Sequence, residues 1–377
     1  MSTQPPRPDF IRSWRELESQ KPFQVRPEAE AFGYPVQFAA ATGLHRLRVM
    51  HLRLAPGQRT NPPAAWRDEE EFFFVLEGTP DLWLDGYLYR LDEGDCVGLA
   101  EGTGIGHSIL NNSDKDVRLF ALGESMRIGS QAFHPLTRDV MANENLKKMR
   151  KFWATHPKRQ LGPHDGLTDA RRDAPMPDGS RKPGKPPVVL HWRDVIENKP
   201  VRYPGSDEDT VLDAPLGKKF RFGHIGVRFQ ILKPGRRTSW PHAERSEDEF
   251  VFVVKGHVEC WLNGWLYPMK EGDFVGFAAG TGITHTIINN TNEEAWLMVG
   301  GVASRVRNEF FYVFHEKRNK DVGDLYWKDH PPLKLGPHDG MPDALRGKER
   351  APAEKPKAMA SAKPAAKQKN TFKPKRK

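Results

Sequence analysis

The sequence predicts an all-β protein built from two copies of one β-sandwich or barrel domain. Two observations support this: short β-prone runs separated by turn residues, and an internal repeat that covers most of the chain. The 377 residues exceed one ordinary domain and suffice for two. A hydrophobic content of 37% provides for cores, and 33 Gly and 32 Pro without a triplet period are typical of a turn-rich, strand-dominated protein.

The repeat is a domain duplication with a constant offset of 178 residues. Residues 56–112 align with residues 234–290 without a gap, and about half of the aligned positions are identical. The match resumes, with four residues fewer in the second copy, at two Gly-Pro-His-Asp-Gly segments, 162–166 and 336–340. So long a period indicates duplicated domains rather than a solenoid. We therefore predict domains at 1–173 and 188–345, a linker at 174–187 rich in Pro, Gly and basic residues, and a tail at 346–377.

Strand signals dominate each copy. Asn263-Gly264 between two apolar runs predicts a two-residue hairpin. Helices are expected only at the edges, at Ile11–Glu18, Arg138–Phe152 and Trp192–Glu197. In the second copy, the predicted strands are Val227–Leu232, Glu249–Val254, Glu259–Leu262, Phe274–Ala278 and Thr284–Asn289.

The net charge of +9 belongs to the tail. Residues 346–377 contain twelve Lys or Arg and two Glu, so the rest of the chain is nearly neutral. The Ala, Lys and Pro composition predicts a disordered, solvated segment. The alternative is weak, nonspecific binding of the tail to nucleic acid or to an acidic surface.

The chain is expected to be cytoplasmic. No apolar run approaches the roughly 18 residues that a membrane span needs. The polar, proline-rich start does not resemble a secretory signal. Two cysteines, Cys96 and Cys260, cannot form a disulfide framework and fit a reducing compartment.

The second copy concentrates metal-ligand residue types. His242 and Glu244 are two residues apart, so both side chains point to the same face of one strand. Glu249 opens the next strand, and His285 lies on a more distant one. Histidine and carboxylate side chains that converge from three strands are typical of a divalent first-row metal site.

With these spacings the chain resembles the cupin superfamily, whose members have an RmlC-like β-barrel. Gly235, His242, Glu249 and Gly256 follow the first family motif, although one spacing is a residue longer, and Gly272, Gly280, His285 and Asn289 follow the second. The resemblance implies two tandem jelly-roll (double-stranded β-helix) barrels with peripheral helices, packed like the subunits of a dimeric cupin. It also implies one divalent metal ion, Fe, Mn, Zn or Ni, in the C-terminal barrel.

Three arrangements of the predicted site remain open. All four residues, His242, Glu244, Glu249 and His285, bind the metal; or Glu244 lies beside a triad of the other three, where it serves as a base. The third arrangement is a vestigial, metal-free site held by hydrogen bonds.

The first copy has lost half of these residues. Ala64 and Trp66 stand where the second copy has His242 and Glu244. Glu71 and His107 remain, and two ligands rarely hold a metal. This predicts a degenerate site in which Glu71 and His107 form a buried, hydrogen-bonded pair.

The function predicted is that of a mononuclear metal enzyme acting on a small oxygen-rich substrate, as a dioxygenase, isomerase, decarboxylase or lyase. Arg228 and Trp240 are predicted neighbours of the pocket. The alternatives are a non-catalytic protein that binds a small ligand, and a structural cupin that self-associates or contacts a macromolecule through its basic tail.

Overall fold

The computed structural model describes residues 4–24, 30–125, 129–136, 151–302 and 307–346. They form two β-barrels, the first barrel from the first copy and the second barrel from the second copy, as the sequence predicts. The tail after residue 346 lies outside the described residues. So does most of the helix predicted at Arg138–Phe152, of which only Lys151–Phe152 is described, as a strand.

Strands make up both barrels. Up to the end of the first barrel they are β1 (Ile11–Ser13), β2 (Tyr34–Gln37), β3 (Leu47–Leu54), β4 (Ala65–Trp66), β5 (Glu71–Glu77), β6 (Asp81–Leu84), β7 (Tyr87–Arg90), β8 (Asp95–Leu99), β9 (His107–Leu110), β10 (Val117–Glu124), β11 (Gln131–Phe133) and β12 (Lys151–Phe152). The later strands are β13 (Val189–His191), β14 (Leu212–Ala214), β15 (Ile225–Leu232), β16 (Arg236–Arg237), β17 (His242–Glu244), β18 (Glu249–Lys255), β19 (His257–Leu262), β20 (Trp265–Lys270), β21 (Asp273–Phe277), β22 (His285–Asn289), β23 (Ala295–Val302) and β24 (Phe310–Tyr312).

The helices in the described ranges are short and peripheral: α1 (Trp14–Leu17), α2 (Phe38–Thr42), α3 (Trp192–Val195), α4 (Leu216–Phe220) and α5 (Glu316–Asp321). None of these helices has both the length and the apolar character needed to cross a lipid bilayer. The helix predicted at Trp192–Glu197 is present as α3. The prediction at Ile11–Glu18 is wrong in its first half, because Ile11–Ser13 pairs with another strand and only Trp14–Leu17 is helical.

Each barrel combines a six-stranded sheet with smaller sheets. In the second barrel the strand order is β1-β21-β18-β23-β15-β14, opposite β20-β19-β22-β17-β24. In the first barrel it is β13-β8-β5-β10-β3-β2, with the three-stranded sheets β7-β6-β9 and β12-β11-β4. All five strands predicted for the second copy are present within two residues of the predicted bounds.

The hairpin predicted at Asn263-Gly264 joins β19 to β20, where Leu262 pairs with Trp265. Both turn residues have positive φ, 45° and 92°, as a type I′ turn requires. Glycine is needed at 264 for a second reason: a Cβ there would lie 2.4 Å from the backbone nitrogen of Gly336. The Gly-Pro-His-Asp-Gly segment thus docks directly on the hairpin, and Trp261 donates its indole N–H to the carbonyl of His338 at 2.9 Å.

The edge strand of each six-stranded sheet comes from the segment that precedes the other copy in the sequence. β1, before the first copy, pairs with β21 of the second barrel, with Ile11 opposite Val275. β13, before the second copy, pairs with β8 of the first barrel, with Val189 opposite Val97. The boundaries at 1–173, 174–187, 188–345 and 346–377 stay predictions, since the exchanged strands tie each range to the other barrel.

A shared aromatic core joins the two barrels. Its phenylalanines come from both copies and are almost completely buried. Three ring pairs cross between the copies at centroid distances of 4.5–5.6 Å: Phe38 with Phe274, Phe120 with Phe252, and Phe74 with Phe229. Rings in such contact stabilise beyond their buried area. The barrels therefore pack through a continuous hydrophobic core.

The strand exchange predicts that a residue of the N-terminal segment stabilises the second barrel. Ile11 is 3% exposed and belongs to the core of that barrel. Ile11→Ala should lower the free energy of unfolding by about 2–4 kcal/mol, the usual range for a buried aliphatic residue. Hydrogen exchange should localise the loss of protection to β18 and β21. Asp9→Ala, at a carboxylate that is 99% exposed, is the control. Protection lost only in the first barrel would contradict the prediction.

Candidate metal centre

Three of the four predicted ligands meet inside the second barrel. His242 on β17, Glu249 on β18 and His285 on β22 each offer one ligand atom, and these atoms lie within 4.8 Å of one another. Nδ1 of His242 is 2.8 Å from the carbonyl of Trp240, and Nδ1 of His285 is 3.2 Å from that of Ile283. Because backbone carbonyls hold both Nδ1 atoms, each Nε2 is directed at the shared centre, which is how metal-binding histidines are commonly oriented.

The carboxylate between the two imidazoles is incompletely satisfied. Oε2 of Glu249 is buried and has no hydrogen-bond partner. Nε2 of His285 lies 3.2 Å away, but the two groups are not aligned as a hydrogen bond. An orphaned buried carboxylate oxygen is costly, and a cation at the shared centre would satisfy it.

Electrostatics favour the ligand form of two of the three groups, Glu249 and His242. Burial opposes ionisation of Glu249, but His285 and His242 outweigh it and lower the pKa of the carboxyl group. Burial lowers the pKa of His242, which favours the neutral imidazole. An ionised carboxylate and a neutral imidazole are the forms that bind a metal ion.

Glu244 lies beside this group of three. Its Oε1 is 3.9 Å from Nε2 of His242, and its Oε2 accepts a hydrogen bond from the Asn308 amide at 2.7 Å. Burial, followed by the charges of Glu249 and Glu247, raises the pKa of Glu244 to about 10. Its roles as a fourth ligand or as a base stay predictions. Asn308 lies outside both motifs, and no sequence pattern predicts its contact with Glu244.

The equivalent place in the first barrel is filled by an arginine. Nε2 of His107 is hydrogen-bonded to Oε2 of Glu71 at 2.8 Å, the pair expected from the sequence. The other oxygen, Oε1, accepts a hydrogen bond from Arg48 at 2.8 Å. Ala64 and Trp66 are both buried nearby in the same barrel. The carboxylate of Glu71 is thus satisfied by a guanidinium cation of the chain itself.

The two barrels differ at a single position of the sheet, which decides whether an arginine reaches the carboxylate. In the first barrel Glu71 pairs with Gly123, which pairs with Arg48, so the guanidinium crosses the bare glycine to reach the carboxylate. In the second barrel Glu249 pairs with Gly301, which pairs with Gly226. Gly226 occupies the position of Arg48 and leaves that space open. Extending the alignment of the two copies a few residues towards the N-terminus, at the same offset of 178 residues, would have revealed the contrast between Arg48 and Gly226.

A cavity of about 720 Å³ opens from His242, Glu249 and His285 in the second barrel, within the size range of small-molecule sites. Arg228 and Gln230 of β15 line it. Both bind Asp213: Arg228 through two hydrogen bonds of 2.9 and 2.7 Å, and Gln230 through one of 3.1 Å. The first copy has Met50 and Leu52 at the equivalent positions. The polar wall is therefore a property of the second barrel.

The second predicted neighbour, Trp240, lies behind this cavity. Its indole is stacked between Tyr203 at 4.1 Å and His315 at 3.9 Å, and it donates a hydrogen bond to Glu208 at 2.9 Å. Tyr203, which sequence reasoning missed, lines the cavity instead. Trp240 thus positions Tyr203, which forms part of the cavity wall.

A second group of possible metal ligands, which sequence reasoning also missed, joins the two copies. Nδ1 of His224 lies 3.2 Å from Glu124 and 3.6 Å from Glu101. The neighbouring Glu70 accepts backbone hydrogen bonds from Gly223, His224 and Ile225. Together these contacts fasten residues 223–225 of the second copy to the first barrel.

Comparisons with known proteins agree with the duplication. The family model described as "Cupin domain" matches residues 50–123 and 228–300. A polyketide synthase named CurC from Streptomyces cyaneus is 33% identical over 102 residues, which are 27% of this chain; the match spans 62% of that protein, less than two thirds of its length.

Solved structures of oxalate decarboxylases are also similar to this chain. The Lactobacillus farciminis enzyme, in a formate complex, has a TM-score of 0.49 and 15% identity, covering 84% of this chain and 92% of its own. The Bacillus subtilis enzyme, described with Mn(II) centres, has a TM-score of 0.49 and 14% identity, covering 89% of each chain. The two family matches coincide with the two barrels. The chain therefore contains two cupin domains, one in each barrel.

Proposed function

We propose that the second barrel holds one divalent metal ion through His242, Glu249 and His285, and that the protein is a mononuclear metal enzyme acting on a small oxygen-rich substrate. The observation that carries this proposal is the buried Oε2 of Glu249, which lacks a hydrogen bond although two imidazole Nε2 atoms face it. The first barrel gives the contrast, because there a guanidinium and an imidazole satisfy the matching carboxylate.

The donor set favours a first-row ion. Two neutral imidazoles and one carboxylate leave coordination positions open, and this combination suits Fe or Mn and also accepts Zn or Ni. When bound, such an ion supplies Lewis acidity or oxygen activation. Glu244, held by Asn308, would supply either a further oxygen ligand or a group that exchanges a proton with the substrate.

The cavity walls give the chain's own residues their roles. Arg228 and Gln230 would bind and orient the substrate, because Asp213 fixes both side chains from behind. The residues proposed to bind the metal ion and those proposed to bind the substrate therefore all lie in the second barrel. The first barrel, with Met50 and Leu52 at these positions, would support it without binding substrate.

The metal proposal predicts that removing the charge of Glu249 lowers the metal content, whereas removing the charge of the equivalent Glu71 does not. Glu249→Gln should reduce the metal content of the purified protein by at least about tenfold, since the neutral amide removes the negative ligand. The matched control Glu71→Gln should keep the wild-type content, near one equivalent by elemental analysis. Less than about a tenth of an equivalent in the wild type, after growth with Mn, Fe, Zn and Ni, would contradict the proposal.

The contrast between Arg48 and Gly226 predicts that an arginine can replace the ion. Gly226→Arg should place a guanidinium against Glu249 and lower metal content strongly without unfolding the protein. A Cβ at this exposed position meets only the Gly301 carbonyl, at 3.7 Å. Gly223→Arg, at an exposed glycine outside the cavity lining, is the control. Full metal content in the Gly226 variant, with unchanged circular dichroism, would show that the two positions are not equivalent.

The reverse exchange should create a second site. Arg48→Gly combined with Ala64→His would restore a His, Glu, His set in the first barrel, because residue 64 already bridges to His107 as His242 pairs with His285. Metal content should rise towards two equivalents. A double variant that folds and still holds one equivalent would mean that Trp66 or the surrounding packing closes this barrel to metal.

A further inference from the structure

Two cations stand at the rim of the cavity in the second barrel. Lys218, on α4, and Arg221, just after it, both line the cavity and are both solvent-exposed. Neither has an ion-pair partner among the residues that the structure describes. Arg228, the third cation of the lining, differs because Asp213 neutralises it. The rim therefore presents two positive charges that the protein does not compensate locally.

The first copy lacks both cations. Its equivalent helix, α2, has the sequence Phe-Ala-Ala-Ala-Thr followed by Gly43, whereas α4 has Leu-Gly-Lys-Lys-Phe followed by Arg221. Gly43 and Arg221 both end their helix in the left-handed conformation, with φ of 78° and 60°. Glycine adopts this conformation without steric cost, and arginine does not. The second copy thus keeps a cation where the backbone favours glycine, as strained residues at functional sites do.

The path from this rim to the metal ligands is open. Gly226 and Gly301, which lie beside Glu249 in the sheet, line the cavity and place no side chain across it. The lining holds two carboxylates, Glu247 and Glu249, and the two rim cations; the charge of Arg228 is already neutralised by Asp213. A divalent ion at the ligands would make the whole cavity net positive. Such a cavity favours an anion that can reach both ends.

We propose that the substrate is a small organic acid with two functional ends: an oxygen pair that reaches the metal ligands, and a carboxylate or phosphate that binds between Lys218 and Arg221. This inference rests on the proposed function. Ammonium and guanidinium groups both bind oxyanions through charge-assisted hydrogen bonds. Carboxylate and phosphate share this chemistry, so the identity of the second group is decided by experiment.

The test compares three probes that carry the same 2-hydroxy acid end. Lactate has no second anion, malate adds a carboxylate, and 3-phosphoglycerate adds a phosphate. Calorimetric titration of each into dialysed, Mn²⁺-loaded protein should give at least about tenfold tighter binding for malate, for 3-phosphoglycerate, or for both, than for lactate, the effect of one charge-assisted contact. The tighter of the two identifies the anion.

Variants of Lys218 and Arg221 test whether these two rim residues cause the tighter binding of the probes with a second anion. Lys218→Ala with Arg221→Gly should reduce it to less than about twofold, while Lys219→Ala, at an exposed lysine of the same helix outside the lining, should retain it. Arg221→Gly alone should also raise Tm, because glycine relieves the strained backbone; a purely structural arginine would not couple a gain in stability to a loss of anion binding.

Metal content, measured on every sample, separates the two proposals. A wild-type protein that retains no metal contradicts the proposed function and this inference with it. A metal-loaded protein that binds all three probes equally, or a preference that survives in the double variant, contradicts this inference alone.

Discussion

A carboxylate inside a barrel needs polar partners, and the two barrels differ in what they offer it at the same point of the sheet. The cost of leaving such a charge unpaired is several kcal/mol, enough to threaten a domain of ordinary stability. In the first barrel Arg48 crosses Gly123 to reach Glu71, so the chain itself completes the site. In the second barrel Gly226 replaces the arginine, and Glu249 is left with an oxygen that no hydrogen bond satisfies. The open cavity and the proposed metal site both follow from this one exchange.

The barrel that lost its ligands still shapes the site of the other. Phe220, the last residue of the rim helix α4, packs on Gly98 of the first barrel so closely that a Cβ there would lie 2.2 Å from its ring. Glu70 of the first barrel holds the backbone of residues 223–225, immediately before Gly226. The shared aromatic core and the exchanged strands hold the two barrels together around these contacts. The first barrel therefore serves as a platform for one wall of the cavity.

The sequence predicted what depends on local pattern and spacing. Short β-prone runs and turn residues located the strands, and the separation of His242, Glu249 and His285 along the chain predicted that they would converge. Pairing between distant segments is not written in local patterns, so the exchange of β1 and β13 was missed, and Ile11–Ser13 was assigned to a helix. The contacts of Arg48 with Glu71 and of Asn308 with Glu244 were missed for a related reason. Both residues lie outside the motifs; strand pairing brings Arg48 to Glu71, and the segment just before β24 brings Asn308 to Glu244.

The two copies of the domain differ at three equivalent places. The first barrel has a compensated carboxylate, an apolar wall and a glycine where its helix ends in the left-handed conformation. The second has an orphaned carboxylate oxygen, a polar wall and an arginine at that same helix end. The unsatisfied oxygen and the left-handed arginine each cost folding free energy in the second barrel, and all three features face the same cavity. Such costs are tolerated at sites where binding a ligand recovers them. Their accumulation on one side of a single cavity is the physical argument that the second barrel, rather than the first, is the functional one.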